Sequence, residues 1–417
     1  MQLNLIPFID KKNKNFLNLE HHNKRQLFIV ILLITILPLT VADIYLSSLP
    51  SIANQFNTEN STVRLSFSVF LLALGASQLI YGLLADKYGR RKIILFGIAI
   101  CFIGSFYCLC ASSIEELIIG RLIQGLGSGG AGALARTIMS DLYNGRELSK
   151  ISSYMSTSSS AFMIAAITLG GYIQYYFNWQ GNFIFILIFI FICWLLIWVF
   201  LPETNMSFCK GINKGEIIFS NYILLLKSKI FMKHTLTSGL ALAGMLCYLA
   251  VSPFLMLENL KLTSVEYGAL SFFSSGSIVL GAFINTIILK RFDIDDSLLV
   301  GIFCMLIGGF SMLLFACLSL CNLTVIILPM VIYLIGAALM FANCFVKAFI
   351  YFPNMKGLAG GLYGTIQILT SSSITIITSL FSVESQLFLS ITLSILSLGS
   401  LLLLKEFLFN SSKIIDL

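Results

Sequence analysis

Charge is what this sequence has least of. Only 11% of its 417 residues are Asp, Glu, Lys or Arg, whereas a soluble domain carries about 25%. So few charged side chains cannot cover a surface exposed to water. The apolar residues form blocks of roughly 20, the length of helix that crosses a bilayer. With a mean hydropathy of +0.93, the composition predicts a protein that crosses the membrane many times.

The sequence also lacks the groupings typical of a metal site, a disulfide framework or a catalytic centre. Its ten cysteines are scattered, and no two have the Cys-x-x-Cys spacing. The three histidines, His21, His22 and His234, lie at polar margins. We therefore expect no enzyme, metal or cofactor. The net charge of +7 is distributed in a way that indicates membrane topology, so we expect no nucleic-acid partner.

No cleavable signal is predicted. Residues 1–26 are polar and basic, and the first apolar block is longer than the core of a secretory signal. We predict an all-α integral membrane protein of twelve transmembrane helices. The predicted helices cover 27–49, 62–84, 92–111, 117–140, 151–176, 182–201, 234–257, 266–290, 297–318, 323–349, 357–381 and 386–408.

The distribution of Lys and Arg tests the predicted number of helices. When the gaps between helices are assigned alternately to the two sides, one side receives nearly all of the 26 Lys and Arg residues; the exceptions are Arg64, Arg121, Arg136 and Lys261. Cytoplasmic loops accumulate Lys and Arg, so we predict that the basic side is cytoplasmic and holds both termini. The abundant Lys, Asn and Ile are typical of an AT-rich bacterial genome. We expect a multi-pass protein of the bacterial cytoplasmic (inner) membrane.

The longest gap divides the predicted helices into two sets of six. Two such bundles around a polar linker are typical of a duplicated transporter fold. We predict a cytoplasmic tail at 1–26, a six-helix bundle at 27–201, a cytoplasmic linker at 202–233, a second six-helix bundle at 234–408 and a cytoplasmic tail at 409–417.

The most specific motif lies between predicted helices 2 and 3. It reads Gly82-Leu83-Leu84-Ala85-Asp86-Lys87-Tyr88-Gly89-Arg90-Arg91-Lys92. Gly82 and Gly89 permit close packing and a tight turn. The basic residues alone would only satisfy the topology rule. The whole string resembles the signature loop of the major facilitator superfamily, in which glycine, aspartate, glycine and paired arginines recur at this spacing.

The resemblance implies a gating role. In that family the loop latches the two halves together when the cytoplasmic side is closed. Asp86 would face the N-terminal end of predicted helix 11, where the helix dipole favours an anion. Arg90, next to Arg91, would pair with Asp141 at the cytoplasmic end of predicted helix 4. The counterpart in the second half, Lys290-Arg291-Phe292-Asp293, is degenerate, which predicts an asymmetric latch.

Two charged residues inside predicted spans form a candidate proton site. Arg121 in predicted helix 4 costs about 2.5–3.5 kcal/mol on insertion scales, so it should face a partner or water. The string Gly-Arg-x-x-Gln-Gly at 120–125 resembles the superfamily's second motif, whose arginine is tied to proton coupling. Asp43 lies at a similar depth in predicted helix 1. We predict an Asp43–Arg121 pair that protonation of Asp43 would release. The alternatives are a snorkelling Arg121 and a helix-terminal acid near water.

The residues after Asp43 indicate one branch of the superfamily. Asp43-Ile44-Tyr45-Leu46-Ser47-Ser48-Leu49-Pro50 resembles the Asp-x-Tyr-Leu-Pro-x-Leu-Pro string of the Bcr/CflA group of drug:proton antiporters, with Ser47 in place of the first proline. Antiporters of this superfamily usually carry a proline in a glycine-rich motif of helix 5. Here Ile167 replaces that proline before Gly170-Gly171. We expect a weaker kink, and the direction of transport stays open.

Helices 1, 4, 7 and 10 line the central cavity in this superfamily. We therefore predict four cavity residues, Tyr45, Gln124, Tyr248 and Asn343, although interhelical hydrogen bonding is the alternative role for each. The run Gly125-Leu126-Gly127-Ser128-Gly129-Gly130 fits the dinucleotide-binding pattern. No strand precedes it, so we interpret it as a helix-packing surface.

The resemblance implies a proton-coupled secondary transporter that exports small amphipathic compounds by alternating access, as a drug:proton antiporter. Its partners would be a small-molecule substrate, protons and the lipid bilayer, and we expect a monomer without a cofactor. A proton-linked carrier for one metabolite or siderophore, working in uptake or export, is an alternative that keeps the fold. A membrane-embedded enzyme or receptor lacks support, because no cluster of His, Asp and Glu is present.

Overall fold

A computed structural model describes residues 24–143, 145–205, 215–350, 352, 356–381 and 385–409. These residues form helices and contain no β-strand, and the predicted fold of twelve helices in two bundles is confirmed. We number the crossings α1 (Lys24–Asp43), α2 (Asn60–Tyr88), α3 (Arg90–Leu109), α4 (Ile114–Leu142), α5 and α6 (together Gly145–Phe200), α7 (Lys229–Pro253), α8 (Ser264–Ile288), α9 (Ile294–Cys317), α10 (Leu323–Phe349), α11 (Lys356–Ser379) and α12 (Gln386–Phe409).

Nine stretches of described helix are long and apolar enough to cross a membrane. The longest, Ala161–Phe200, covers α6 and the second part of α5. They meet at Asn178, whose φ of 58° and ψ of −174° break the helical path. The helices α4 and α11 are not among the nine. They are rich in glycine, serine and threonine, and α4 also carries two arginines.

The first crossing is broken, and the prediction of a continuous helix over 27–49 is wrong. The helix α1 ends at Asp43 and is followed by a 3-10 turn at Leu46–Ser48 and a short helix at Leu49–Phe56. The cause is Pro50, at the start of the short helix. Proline has no N–H to continue the hydrogen-bond ladder, but it is tolerated in a first helical turn.

A second break lies in the other half. At Pro253 the helix α7 changes into a π-helical segment, Phe254–Asn259. Segments of this type often mark functional positions. The 3-10 turn of the first crossing contacts α7 and α8, and the short helix Leu49–Phe56 contacts the π-helical segment. The two breaks therefore meet at the interface between the halves.

Glycines hold α4 against its neighbours, which confirms the packing interpretation of the glycine run. A Cβ at Gly125 would lie 2.3 Å from the Phe70 carbonyl oxygen, and one at Gly127 would lie 2.2 Å from the Cys101 nitrogen. Neither backbone atom can move aside cheaply. The first half is thus built on backbone-to-backbone contact among α2, α3 and α4.

The halves meet mainly along two helix pairs, α2 with α11 and α5 with α8. We call the end of the bundle where α2 begins the distal end, and the opposite end, where Arg90 lies, the basic end. The predicted linker at 202–233 contains a helix of its own, Gly215–Lys227, which we call the linker helix, and α7 begins at Lys229 rather than 234. The predicted tails lie almost entirely outside the described residues.

Candidate functional site

Asp43 is the last residue of α1 and therefore sits at the helix break. It is 5% exposed, yet no described residue forms a hydrogen bond or an ion pair with its carboxylate. A buried carboxylate without such a partner is costly. The break thus holds a buried acid free to change its protonation or its partner.

Arg121 is fully buried next to this break. Its Nη1 donates to the Val41 carbonyl oxygen at 3.1 Å and to the Gln124 side-chain oxygen. Its guanidinium carbon lies 4.1 Å from the ring centres of both Tyr45 and Phe70. These contacts fit a cation held by aromatic faces.

The predicted Asp43–Arg121 pair is not a direct contact in this conformation. The guanidinium instead binds the carbonyl of Val41, two residues before the acid. Its Nε and Nη2 have no hydrogen-bond partner among the described residues. Two nitrogen atoms of Arg121 therefore have no hydrogen-bond acceptor, and the nearby Asp43 carboxylate has no hydrogen-bond donor among the described residues.

Two of the predicted cavity residues belong to this network rather than to an open cavity. The Gln124 amide donates to the Ser105 hydroxyl at 2.7 Å, and the Tyr45 hydroxyl lies 3.2 Å from the Ser66 hydroxyl. Both side chains are fully buried. They hold Arg121 in place within the first half, and in this conformation neither is open to a ligand.

Asn343 is also placed elsewhere than predicted. Its amide donates to Asn285 Oδ1 at 2.9 Å and to Ser297 Oγ at 2.8 Å. The Ser297 hydroxyl in turn donates to the same Asn285 oxygen at 2.6 Å. This closed set joins α8, α9 and α10, so the amide of Asn343 is already committed between helices.

Tyr248 is the predicted residue that does line a cavity. The space has a volume of about 10 Å³, enough for one water molecule, and lies between α5 of the first half and α7 and α8 of the second. Its walls carry five hydroxyl groups, from Tyr248, Ser252, Tyr267, Ser271 and Ser274. Ile167, the residue in place of the expected proline, forms part of the wall contributed by α5.

At the basic end, the loop between α2 and α3 is organised around Arg90. Its Nη1 lies 2.6 Å from Asp86 Oδ1 and its Nε lies 3.5 Å from Asp141 Oδ2. The structure thus brings Arg90 and Asp141 together. The carboxylate of Asp86 binds Arg90 of the same loop. No hydrogen bond joins it to the described part of α11. The neighbouring Arg91 donates to the Trp198 carbonyl oxygen.

Sequence reasoning missed Glu203 and Asn205, which follow α6. The Glu203 carboxylate accepts the backbone N–H of Arg90 at 2.8 Å and that of Arg91 at 3.2 Å. It thereby caps the N-terminal end of α3, where an anion is favoured. The Asn205 amide donates to the carbonyls of Ala85 and Asp86 at 3.1 and 3.2 Å. The polar residues directly after the apolar helix α6 were the sequence feature that could have indicated both.

Gly82 and Gly89 have different roles in the loop. A Cβ at Gly82 would meet nothing within 4 Å. Gly89 has φ of +95°, a conformation that favours glycine, and a Cβ there would lie 2.4 Å from the Glu203 carboxylate. The turn therefore requires glycine at position 89, both for its backbone and for its cap.

The second half has a counterpart with the charges exchanged. Lys347 near the end of α10 lies 2.8 Å from both carboxylate oxygens of Asp295 at the start of α9. In the first half the cation is on α3 and the acid on α4. Within the described parts of the chain, no three His, Cys, Asp or Glu side chains gather closely enough to hold a metal ion.

Known proteins were compared with the chain as a whole. The model of the Major Facilitator Superfamily matches residues 31–375. An uncharacterized transporter of Rickettsia bellii is 28% identical over 366 residues, 84% of this chain and 89% of that protein. Multidrug resistance protein D of Escherichia coli is 26% identical over 379 residues, 90% of this chain and 95% of that protein. The bicyclomycin resistance protein homolog of Haemophilus influenzae is 23% identical over 356 residues, covering 83% and 87% of the two chains.

A crystal structure of a D-xylose–proton symporter has the same fold. It superposes with a TM-score of 0.73 at 14% sequence identity, over 90% of this chain and 97% of that chain. At that identity the likeness concerns the fold alone.

Proposed function

This chain belongs to the major facilitator superfamily, a family of membrane transporters and not of enzymes, and we propose that it is a proton-coupled exporter of small amphipathic compounds. It would exchange drug for proton by alternating access in the bacterial cytoplasmic membrane, with both termini in the cytoplasm. The observation that carries the proposal is the buried, unbonded Asp43 at the break of the first crossing.

The surroundings of Asp43 support proton coupling. An ionised carboxylate at this buried site would attract the unused donors of Arg121, whereas a protonated one would release them. The backbone at Leu46–Ser48 has already left the α-helical hydrogen-bond ladder, so no α-helical hydrogen bond there would have to break for it to rearrange. Binding of a proton would thereby shift the equilibrium between two arrangements of the first crossing.

The basic end supplies the gate in this proposal. Arg90 connects Asp86 with Asp141, and Glu203 fixes the start of α3. The linker helix packs against α7 and α11 beside this end, and Leu225 from it joins an apolar cluster with Phe349 and Leu362. Opening the basic end would require these contacts to rearrange together.

The names of relatives favour export of drugs. Multidrug resistance protein D and the bicyclomycin resistance protein homolog match more than four fifths of this chain. One observation favours the alternative, a proton-linked carrier for a single metabolite or siderophore. Ile167 stands where the antiporter motif has proline, and the α5 backbone is helical there. The proline that would kink α5 at this position is therefore missing.

Transport in inverted membrane vesicles tests the proposal. With an imposed pH gradient, drugs from a panel that includes chloramphenicol and bicyclomycin should accumulate, and adding a drug should release protons. The Asp43→Asn variant should abolish gradient-driven accumulation, because its side chain cannot exchange a proton. Glu115→Gln, which changes an exposed acid in the first turn of α4, is the matched control and should transport normally.

Two results would count against the proposal. Unchanged pH dependence of transport in Asp43→Asn would remove Asp43 from the coupling mechanism. No response to any drug, together with uptake of a metabolite by whole cells, would favour the single-compound carrier.

A further inference from the structure

The linker helix, Gly215–Lys227, packs on the second half by one of its sides. Tyr222 and Leu225 join an apolar cluster with Phe349 at the end of α10 and Leu362 in α11. Residues three apart lie on the same side of a helix. This packing therefore fixes which side of the linker helix is turned away from the bundle.

The side turned away from the cluster is apolar as well. It carries Ile223, Leu224 and Leu226, whose side chains are 39%, 52% and 47% exposed, and we call these three residues the outer face. Large aliphatic side chains gathered on a helix are unfavourable in water, and such a patch marks a contact with a membrane or another protein. The outer face therefore requires an apolar partner.

The position of the linker helix favours the bilayer as this partner. Ser228 alone separates it from α7, and the Ser228 hydroxyl accepts the backbone N–H of Phe231 as the cap of that crossing. The helix α7 has 25 residues, and at 1.5 Å per residue its length of about 38 Å exceeds the hydrocarbon core of about 30 Å. Its first turn, and the linker helix joined to it, thus lie near the lipid headgroups.

The charges at this end of the linker helix fit an anionic surface. Lys227 lies beside Ile223 and Leu224 on the helix, four and three residues after them, and Lys229 begins α7. Both lysines are exposed, and neither forms an ion pair with a described acid. The one acid of the linker helix, Glu216, is eleven residues before Lys227. An aliphatic face next to lysines is typical of helices that lie on anionic bilayers.

We propose that the linker helix docks on the bilayer surface at the basic end, where its outer face enters the headgroup region and Lys227 and Lys229 bind the phosphates of anionic phospholipids. The inference does not depend on which compound the protein transports. Because the same helix packs against α7 and α11, docking connects the second half of the bundle to the lipid surface beside the gate.

A spin label on the outer face tests the docking. Leu224→Cys, in a background without other cysteines, is labelled and placed in lipid nanodiscs. With phosphatidylglycerol present, oxygen, which concentrates in lipid, should relax the label more than a water-soluble nickel chelate does. With phosphatidylcholine alone this preference should decrease. Two reference labels set the scale, Leu280→Cys at an exposed position in α8 for lipid and Glu115→Cys in the first turn of α4 for water.

Two further variants test the lysines. Each lysine near an anionic surface favours binding about fivefold, so Lys227→Gln and Lys229→Gln should each shift the helix about fivefold toward the undocked state in phosphatidylglycerol. Lys405→Gln, which removes an exposed lysine near the end of α12, is the matched control and should leave the label unchanged. All of these positions are exposed, and the unfolding temperature checks that each variant is folded.

The inference is overturned if the nickel chelate relaxes the label at position 224 more than oxygen does in phosphatidylglycerol, since the outer face would then lie in water. Equal results in the two lipids would also overturn it, because anionic headgroups would take no part. Shielding from both reagents would show that protein, such as a second copy of the chain, covers the face instead. None of these measurements involves transport, so the docking and the proposed function can fail separately.

Discussion

At the scale of single residues, the break in the first crossing depends on the absence of side chains opposite it. A Cβ at Gly170 in α5 would lie 1.8 Å from the Ile44 carbonyl oxygen. Asn182 in α6 donates to that same glycine's carbonyl oxygen at 3.3 Å and to the Ser48 hydroxyl at 2.7 Å. Gly170, the first glycine of the Gly170-Gly171 pair, thus holds the backbone beside Asp43.

Gly170→Ala should therefore destabilise the protein. The methyl group would force two backbones apart, and overpacking of this kind costs about 1–3 kcal/mol. Gly276→Ala is the control, because a Cβ there would meet nothing within 4 Å, and alanine should favour the helix by about 0.5–1 kcal/mol. Thermal unfolding followed by tryptophan fluorescence should show a lower midpoint for Gly170→Ala only. Equal midpoints would contradict the close contact.

Which residues are polar and how deep they lie could be predicted from the sequence, whereas the direction of each side chain could not. Arg121 was expected to need a partner, and it has several. Its placement between two aromatic rings depends on the rotation of α1 and α2 about their axes. Asn343 was expected in the cavity because α10 lines it in this family. In the structure α10 instead directs this amide to Asn285.

At the scale of helices, a residue in the sequence marks some ends and breaks, whereas others have no local mark in the sequence. Pro50 marks the break of the first crossing, and the sequence contains it, but a continuous apolar run from 27 to 49 concealed its effect. The bend between α5 and α6 at Asn178 was predicted as a loop at 177–181. The cap on α3 was missed because Glu203 is more than a hundred residues from the helix that it caps, and such distant contacts have no local signature.

Removing the charge of that cap should loosen the start of α3. In Glu203→Gln, the two backbone N–H groups of Arg90 and Arg91 lose a charged acceptor, at a cost of about 0.5–2 kcal/mol. Hydrogen exchange of the peptide containing both residues should become faster, while that of the start of α4, capped by Ser113, should stay unchanged. In the proposed mechanism this loop forms part of the gate, so loosening it should slow transport as well. Unaltered exchange at Arg90 and Arg91 would exclude the capping role.

At the scale of the whole molecule, the halves are joined across the distal end. The hydroxyls of Ser68 on α2 and Ser379 on α11 lie 3.2 Å apart. Nearby, the Asn60 amide donates to the Glu258 carboxylate at 3.0 Å, and the Arg64 guanidinium donates to the Phe381 carbonyl oxygen at 2.5 Å. The proposed alternating access would require such contacts to part in each cycle. The twelve-helix architecture was predictable from composition and charge, but the contacts between distant helices were not.

Locking this end should stop transport. Ser68→Cys with Ser379→Cys, in a background without other cysteines, should form a disulfide under oxidation and lose transport until a reductant is added. The control is Ser128→Cys with native Cys101 retained, since these side chains also lie 3.2 Å apart but within the first half. That disulfide should leave transport intact. Full activity of the oxidised Ser68/Ser379 variant would show that the distal end need not open.

The glycine contacts of α4 have a mechanical consequence. Helices that touch backbone to backbone, as α4 does with α2 and α3 at Gly125 and Gly127, have little room to bend or slide. The joint between α5 and α8 also brings backbones together, at Gly171 against Ser264, but the joints between the halves include side-chain hydrogen bonds that can be exchanged. We therefore expect the first half to move as one rigid body. A small movement on protonation of Asp43 would then rotate this unit and displace Arg90, which lies at the opposite end of the bundle.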